Sequence, residues 1–341
     1  MSPRSVGKEF LMAINTETFS ARLRSKSVDL AQQRLLITKF SGSRQEQDLS
    51  EPPNCAGFGR IRHFRRSGTV GWPENPLPMD PASHKLGLTR QNAIRAQVFQ
   101  NASCNWRCWY CYVPFELLDA NLNHSNWMSV SDLLDLYQGE QNAPQVIDLS
   151  GGQPDLTPEW VPWMMRELQR RQLDSTIYLW SDDNLSNDYF WRYLSDDDVS
   201  LVSTYPNYGK VCCIKGFNAE SFAFNTRANP ELFEQQLSLF GRYLELGIDL
   251  YGYATFTALD EVDISLEVAT FVDRLQEISV NLPLRVVPLE VRLFAPVHER
   301  MNRRYDHAIK VQWTAVECWK AELEARFPED LRAKPIHEIA L

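Results

Sequence analysis

The stretch "QNASCNWRCWYCYVPF", residues 100 to 115, contains three cysteines among several aromatic residues. Cys104, Cys108 and Cys111 have the spacing C-x3-C-x2-C. The stretch directly follows the run "AQVF", which has the composition of a buried strand. The function of these three thiols therefore bears on both the fold and the chemistry of the chain.

The spacing of the cysteines disfavours two common thiol sites. A structural zinc site normally has four ligands, but no second CxxC or histidine pair lies nearby, and His124 stands alone. A redox pair of Cys108 and Cys111 leaves Cys104 without a role. Clusters of iron and sulfide usually take four cysteines, so three thiolates suit a cluster with one iron open to a non-protein ligand.

The composition is that of an ordinary globular protein with 341 residues and a formal net charge of −9. An acidic surface repels phosphate backbones, which makes nucleic acid an unlikely partner. The seven cysteines are odd in number and crowded, unlike a secreted disulfide scaffold. No run approaches the roughly 18 apolar residues of a membrane span, and the N-terminus lacks a signal-peptide pattern. We therefore expect a cytoplasmic protein with no membrane partner.

Short apolar runs alternate with helical patterns from about residue 95 onward, which predicts a parallel sheet with helices outside it. Six strand–helix units favour an α/β fold, a partial (β/α)6 barrel. The strands are "AQVFQNA", "QVIDLS", "STIYLW", "VCCIKGF", "DLYGYATF" and "LRVVPLEVRLF", with "DVSLVSTY" as a competing strand near the fourth unit. Functional groups collect at the carboxyl ends of such strands, and the cysteines follow the first one.

The sequence divides into three parts. Residues 1–90 are expected to form an N-terminal extension that would cap the barrel, with a helix in "TETFSARLRSKSVDLAQQ" and a strand in "RLLITKF". The Gly- and Pro-rich stretches that follow, residues 41–60 and 71–88, predict ordered loops or a wrapping extension rather than a core. Residues 91–296 form the barrel, and 297–341 a C-terminal helical segment.

The stretch "CNWRCWYC" resembles the CxxxCxxC signature of the radical S-adenosylmethionine (SAM) superfamily. The resemblance implies a [4Fe–4S] cluster held by Cys104, Cys108 and Cys111, with SAM bound at the fourth iron. It also implies that Tyr110, the residue before the last cysteine, lies near the adenine of SAM. Trp106 and the other aromatic residues would shield the cluster or simply pack.

After the second strand, "VIDLSGGQPDL" resembles the GGEP motif of that superfamily, which holds the amino group of SAM. The resemblance assigns this role to Ser150, Gly151, Gly152, Gln153 and Pro154, although a plain glycine turn has the same pattern. Glutamine replaces the usual glutamate, so the pocket has an acceptor without the negative charge. The substitution Gln153→Glu is therefore expected to preserve or tighten SAM binding.

The stretch "IKGFNAESFAFNTRANPELFEQQL" resembles the activases of glycyl-radical enzymes, in which a DxK motif contacts the ribose and carboxylate of SAM. Lys215 matches the lysine, while Cys213 occupies the aspartate position. A merely solvated lysine is the alternative.

In "LWSDDN", Ser181 or Asn184 would reach SAM or substrate, or form an ordinary turn. Arg292, placed on the sixth strand, would pair with a carboxylate or form a peripheral salt bridge.

The remaining cysteines do not form a second motif. Cys55, Cys212, Cys213 and Cys318 are scattered, and the adjacent pair faces opposite sides of a strand. We interpret them as buried small hydrophobic residues. Cys213 is the exception to test, because the resemblance implies that its position faces SAM.

These resemblances imply a radical SAM enzyme, an oxidoreductase or lyase that receives an electron from an external reductant such as flavodoxin or ferredoxin. SAM would be cleaved to a 5′-deoxyadenosyl radical that abstracts hydrogen from a substrate. We favour a small-molecule substrate, with glycyl-radical formation or peptide modification on a partner protein as the alternative. A non-catalytic iron–sulfur or zinc-binding module is a distant third. No catalytic side chain is identified by the sequence.

Overall fold

The computed structural model describes residues 13–67, 76–259 and 263–341, which form a mixed α/β fold. The strands are β1 (Val28–Asp29), β2 (Arg34–Thr38), β3 (Gly59–Arg65), β4 (Ala93–Phe99), β5 (Ser125–Ser129), β6 (Val146–Leu149), β7 (Tyr178–Asp183), β8 (Tyr208–Ile214), β9 (Leu250–Thr255) and β10 (Val286–Leu289). The helices are α1 (Thr16–Ser27), α2 (Met79–Lys85), α3 (Val130–Gln138), α4 (Trp160–Arg170), α5 (Tyr189–Tyr193), α6 (Asp196–Thr204), α7 (Ala219–Thr226), α8 (Leu232–Glu245), α9 (Ile264–Ile278), α10 (Ala295–Arg300), α11 (Arg303–Arg326) and α12 (Glu329–Arg332).

The main sheet has seven strands in the order β10-β9-β8-β7-β6-β4-β3. Strands β4 and β6 to β10 are parallel, whereas β3 pairs antiparallel with β4. The sheet is curled into a half barrel, which fits the expected partial barrel. A second, antiparallel sheet has the order β1-β2-β5. Strands β3 and β10 are thus the two edges of the half barrel.

The central parallel strands β6 to β9 are buried on both faces because their side chains alternate between helices and the barrel interior. Leu149 and Leu179 pack with the helices that cover the outer face. Trp180, Tyr251 and Tyr253 face inward. The inner cluster also contains Phe64 of β3 and residues of the segment around α2, namely Leu77, Met79 and Ala82.

The α2 segment corrects the expectation that the Gly- and Pro-rich stretch 71–88 lies outside the core, and β3 adds to the same interior. Phe64, Leu77, Met79 and Ala82 are each fully buried. They come from the N-terminal extension, so this region supplies part of the barrel interior. Residues 1–12 and 68–75 of the extension lie outside the described residues.

Two further expectations about strands are wrong. The stretch "DVSLVSTY" lies within and just after α6, where Ser195 and Asp198 form a reciprocal capping box that favours a helix start. The sixth parallel strand, β10, ends at Leu289, so Arg292 lies between this strand and α10. None of the helices in the described ranges combines the length and the apolar character needed to cross a membrane.

Candidate functional site

The three cysteines lie in the loop that follows β4, at the carboxyl end of the first parallel strand. Cys104 and Cys108 are buried, and Cys111 is half-buried. The three thiols are close enough to influence one another electrostatically. The structure therefore brings together the three predicted cluster ligands.

The backbone of this loop is fixed by the segment after β8. Trp109 donates its backbone N–H to Asn225 O at 3.2 Å and its indole N–H to Asn225 Oδ1 at 3.0 Å. The amide of Asn225 also donates to Lys215 O at 2.8 Å. The activase-like stretch thus supports the cysteine loop directly.

Two arginines bind the carbonyl groups of the loop. Arg107 donates to Cys104 O at 2.5 Å and Trp106 O at 2.8 Å, and it pairs with Asp119. Arg300 of α10 donates to Cys111 O at 2.6 Å. Because cations stabilise nearby thiolates, these guanidinium groups favour ligand formation. No sequence pattern indicated Arg300, which lies far along the chain.

Burial raises the pKa of Cys108 to about 12 and also raises the pKa of Cys104. These thiols therefore hold their protons until a metal displaces them. Among the described residues, no three or more His, Cys, Asp and Glu side chains are arranged around a single ion. A cluster places its cysteines on different irons, so they need not converge on one point. Three thiols in one loop therefore fit the cysteine ligands of an iron–sulfur cluster.

Lys215 follows β8 on the inner side of the sheet and is only 8% exposed. Burial alone would lower the pKa of Lys215, but the nearby Cys213, Tyr110 and Cys108 raise it above its usual value. Its ammonium has no hydrogen bond or ion pair to any residue in the described ranges. Since buried charges are normally paired, Lys215 has the properties of a group that binds an anion.

The glycine loop after β6 packs against the cysteine loop. Gly151 and Gly152 have φ of 89° and 66°. A Cβ on Gly152 would lie 2.4 Å from Asn101 O and 2.5 Å from Ser103 O. The glycines are therefore required by the close approach of two protein loops, whereas the sequence suggested approach to a ligand.

Gln153 does not face an open pocket. Its side chain is fully buried, with Nε2 donating to Asp183 Oδ1 at 2.8 Å and Oε1 accepting from Asn184 N at 2.9 Å. Both polar groups of the amide are thus used within the protein. Contact between the Gln153 side chain and the amino group of SAM stays a prediction, while both polar groups of the amide have protein partners here.

Ser181 also differs from its predicted position. Alternation along β7 places it on the helix-covered face, where its hydroxyl lies 2.7 Å from the hydroxyl of Tyr208. Asp182 of β7 faces inward, as Trp180 does, and it accepts a hydrogen bond from the hydroxyl of Ser150. The sequence did not identify Asp182, although the same alternation indicates it.

Three other predicted site residues lie around the loop. Asn184 Nδ2 is 3.8 Å from Cys104 Sγ and 3.4 Å from Gly152 O, so this amide links the two loops. The hydroxyl of Tyr110 is 2.9 Å from Thr255 Oγ1 at the end of β9. Pro154 is buried at the start of a short 3-10 turn, Pro154–Leu156.

The cysteines outside the motif are placed as packing residues. Cys55 and Cys212 are buried, and Cys318 packs in part against the main core. Cys213 faces the interior near Lys215, on the opposite face from Cys212. Arg292 is exposed and paired with Glu290 on its own chain.

The parallel sheet thus carries a three-cysteine loop directly after its first parallel strand. No family model matches the sequence, and no curated protein matches it. Solved structures of SuiB from Streptococcus suis are similar to part of the chain. SuiB bound to the precursor peptide SuiA is 15% identical, with a TM-score of 0.39, over 54% of this chain and 37% of that chain.

Two further SuiB structures give comparable values. SuiB bound to S-adenosylmethionine is 16% identical, with a TM-score of 0.37, over 52% of this chain and 36% of that chain. A third structure, of SuiB, is 14% identical, with a TM-score of 0.37, over 53% of this chain and 36% of that chain. The matched part thus spans little more than a third of SuiB. At this level of similarity the comparison identifies neither a reaction nor a substrate for this chain.

Proposed function

We propose that the protein is a radical SAM enzyme. The observation that carries this proposal is the buried cysteine loop at the carboxyl end of β4, faced by Lys215, a buried cation whose ammonium has no anionic partner among the described residues. A site with three thiols and one unpaired cation suits a cluster together with an anionic ligand.

In this proposal Cys104, Cys108 and Cys111 hold a [4Fe–4S] cluster, and Lys215 binds the carboxylate of SAM. When bound, the cluster and SAM supply a 5′-deoxyadenosyl radical that abstracts hydrogen from the substrate, after one electron arrives from a flavodoxin- or ferredoxin-type reductant. Tyr110 remains the proposed neighbour of the adenine. The protein contributes orientation and exclusion of water, as it does for other cofactors.

The geometry of the glycine loop changes the proposed role of Gln153. Its amide orients Asn184, whose side chain in turn donates toward Cys104 and Gly152. Gln153 is therefore a positioning residue in this proposal. The backbone of Ser150, Gly151, Gly152 and Pro154 remains the proposed neighbour of the SAM amino group.

Iron and sulfide analysis after anaerobic reconstitution tests the cluster. Cys104→Ala, Cys108→Ala and Cys111→Ala should each lose the visible absorption of the cluster and most of its iron. Cys55→Ala and Cys318→Ala are matched controls that should keep the iron content of the unchanged protein. Full clusters in all three motif variants would refute the assignment.

Isothermal titration with SAM separates an enzyme from a non-catalytic iron–sulfur or zinc-binding module. The reconstituted protein should bind SAM and, with dithionite, cleave it slowly to 5′-deoxyadenosine. A module without a SAM pocket would do neither. The role of Lys215 predicts that SAM binding depends on this side chain.

We propose a small-molecule substrate, with the N-terminal region as a cap on the open side of the half barrel. The short 3-10 helix Arg44–Asp48 lies beside the two sheet edges, and the α2 segment fills the interior. Small ligands bind in largely enclosed sites. A metabolite extract that accelerates SAM cleavage after passing a dialysis membrane would support this. Retention behind the membrane, with loss on protease treatment, would indicate a peptide or protein such as the SuiB substrate class.

A further inference from the structure

A cleft of about 170 Å³ lies between the two edges of the main sheet, β3 and β10. Its walls include Arg60, Tyr112, Tyr253, Leu289 and Phe294. The rings of Tyr112 and Phe294 have centroids 6.0 Å apart. The cleft therefore combines aromatic and aliphatic surface with a guanidinium group.

Arg60 is 6% exposed and carries a charge that no carboxylate in the described ranges pairs with. Its Nη2 donates to the hydroxyl of Tyr112 at 3.0 Å. Its Nε is enclosed by protein without a hydrogen-bond acceptor, and its Nη1 donates to no residue in the described ranges, which leaves Nη1 as the donor available to a ligand. A buried guanidinium with an unused donor is costly unless a ligand supplies the acceptor.

Other charged residues of the cleft have partners within the protein. Arg62 Nη1 lies 3.2 Å from Asp148 Oδ2, and His63 Nε2 lies 3.1 Å from Glu51 Oε1. Glu290 is paired with Arg292, and both carboxylate oxygens of Asp48 accept from Ala295 N at 3.2 Å. The unpaired positive charge of Arg60 therefore distinguishes it from these neighbours.

We propose that this cleft binds a substrate carboxylate on Arg60 and the apolar body of the same molecule against Tyr112, Leu289 and Phe294. Planar guanidinium groups bind carboxylates through paired, charge-assisted hydrogen bonds. Tyr112 directly follows Cys111, so a molecule held by Arg60 lies beside the cysteine loop. The role as a substrate site rests on the proposed function, whereas carboxylate binding in the cleft does not.

Titration with matched probes tests the cleft. Propionate, 3-phenylpropionate and indole-3-propionate are each compared with their neutral amides, using calorimetry and saturation-transfer NMR on the protein before and after reconstitution. At least one carboxylate should bind about tenfold or more tightly than its amide, as expected for a charge-assisted hydrogen bond. Failure of all three carboxylates to bind, or equal binding of acids and amides, would overturn the inference.

Variants of Arg60 test whether this side chain causes the preference for the carboxylate over its amide. Arg60→Gln should abolish the preference for the acid, and Arg60→Lys should restore part of it. Arg292→Gln is a matched control near the cleft whose charge is already paired, and it should keep the preference. Thermal unfolding of each variant shows whether it is folded. The comparison of acid with amide in the unchanged protein tests the cleft even if a variant fails to fold.

The outcomes also separate this inference from the proposed function. If iron and SAM do not bind but the carboxylates do, the enzyme proposal fails and the cleft site stands. If SAM binds but Arg60→Gln retains the acid preference, the inference fails alone. A fall in SAM affinity for Arg60→Gln that exceeds the fall in carboxylate affinity would assign Arg60 to the cofactor and overturn the inference.

Discussion

Lys210 and Lys215 are two buried lysines on β8 and directly after it, yet their surroundings are opposite. Lys210 faces the helices, with Nζ 2.7 Å from Asp155 Oδ2 and 3.5 Å from Asp183 Oδ2. Tyr243 donates to the same Asp155 oxygen at 2.7 Å. Lys215, five positions later and hence on the other face, has no such partner in the described part of the chain. The difference indicates that the protein neutralises Lys210 itself and leaves Lys215 for a ligand.

The largest expected effect is the loss of stability on Lys210→Met. This change leaves Asp155 and Asp183 buried without their cation, which typically costs about 3–5 kcal/mol. Lys215→Met removes an unpaired buried charge and should change the free energy of unfolding by less than about 1 kcal/mol. Denaturant unfolding of both variants without SAM measures the contrast. Equal destabilisation by the two changes would remove the distinction between the lysines.

The next effect concerns ligand affinity. Lys215→Met should weaken SAM binding by about tenfold to a hundredfold, as expected for the loss of a charge-assisted hydrogen bond. Lys215→Arg retains the charge and should recover part of the affinity. Isothermal titration of the reconstituted proteins measures this change. SAM affinity in Lys215→Met equal to that of the unchanged protein would show that the anion bound by Lys215 is not SAM.

Gln153→Glu extends the comparison to the polar network around Lys210 on the helix-covered face, because Gln153 donates to Asp183 of that network. The carboxylate would lose the donor to Asp183 Oδ1 and add a negative charge beside it, so we expect about 1–3 kcal/mol of destabilisation and no tightening of SAM binding. Gln169→Glu makes the same change at an exposed position and should be nearly neutral. Tighter SAM binding with unchanged stability would instead restore the role suggested by the sequence.

The smallest expected effect is a pH dependence of the free energy of unfolding that arises from Asp148 on the inner face of the sheet. Burial and the charge of Asp182 raise the pKa of Asp148 to about 7, against the opposing effects of Arg62 and Arg60. A raised folded-state pKa gives stability that is present below the unfolded pKa near 4 and lost as pH rises to about 7. Asp148→Asn should therefore gain stability relative to the unchanged protein between pH 4 and 7. The same change in the free energy of unfolding with pH in the variant and in the unchanged protein would contradict this expectation.

The sequence predicted the helix–strand alternation and the cysteine loop well because both depend on local patterns. Apolar runs defined the parallel strands, and the spacing of Cys104, Cys108 and Cys111 defined the loop. The position of Lys215 on the inner side follows from strand alternation. These features need no knowledge of distant contacts.

Features that depend on long-range packing were not predictable in this way. The orientation of Gln153 is set by Asp183 on the next strand, and the role of Arg300 by carbonyl groups 189 positions earlier. Strand β3 has a mixed sequence in a Gly- and Pro-rich region, and its partner β4 provides the hydrogen bonds that fix it. Arg60 is distinctive because no carboxylate of the described residues lies within ion-pair distance of its guanidinium, which is a property of the folded structure.

The inner packing of the α2 segment has a consequence for synthesis of the chain on the ribosome. Leu77 O accepts a hydrogen bond from the hydroxyl of Tyr253 at 3.4 Å, although 176 positions separate them. The apolar residues Leu77 and Met79 therefore emerge long before the strand that buries them. Until β9 is made, these side chains lack much of their native cover and are open to association with other chains. Production of this protein should thus benefit from slow translation and chaperones.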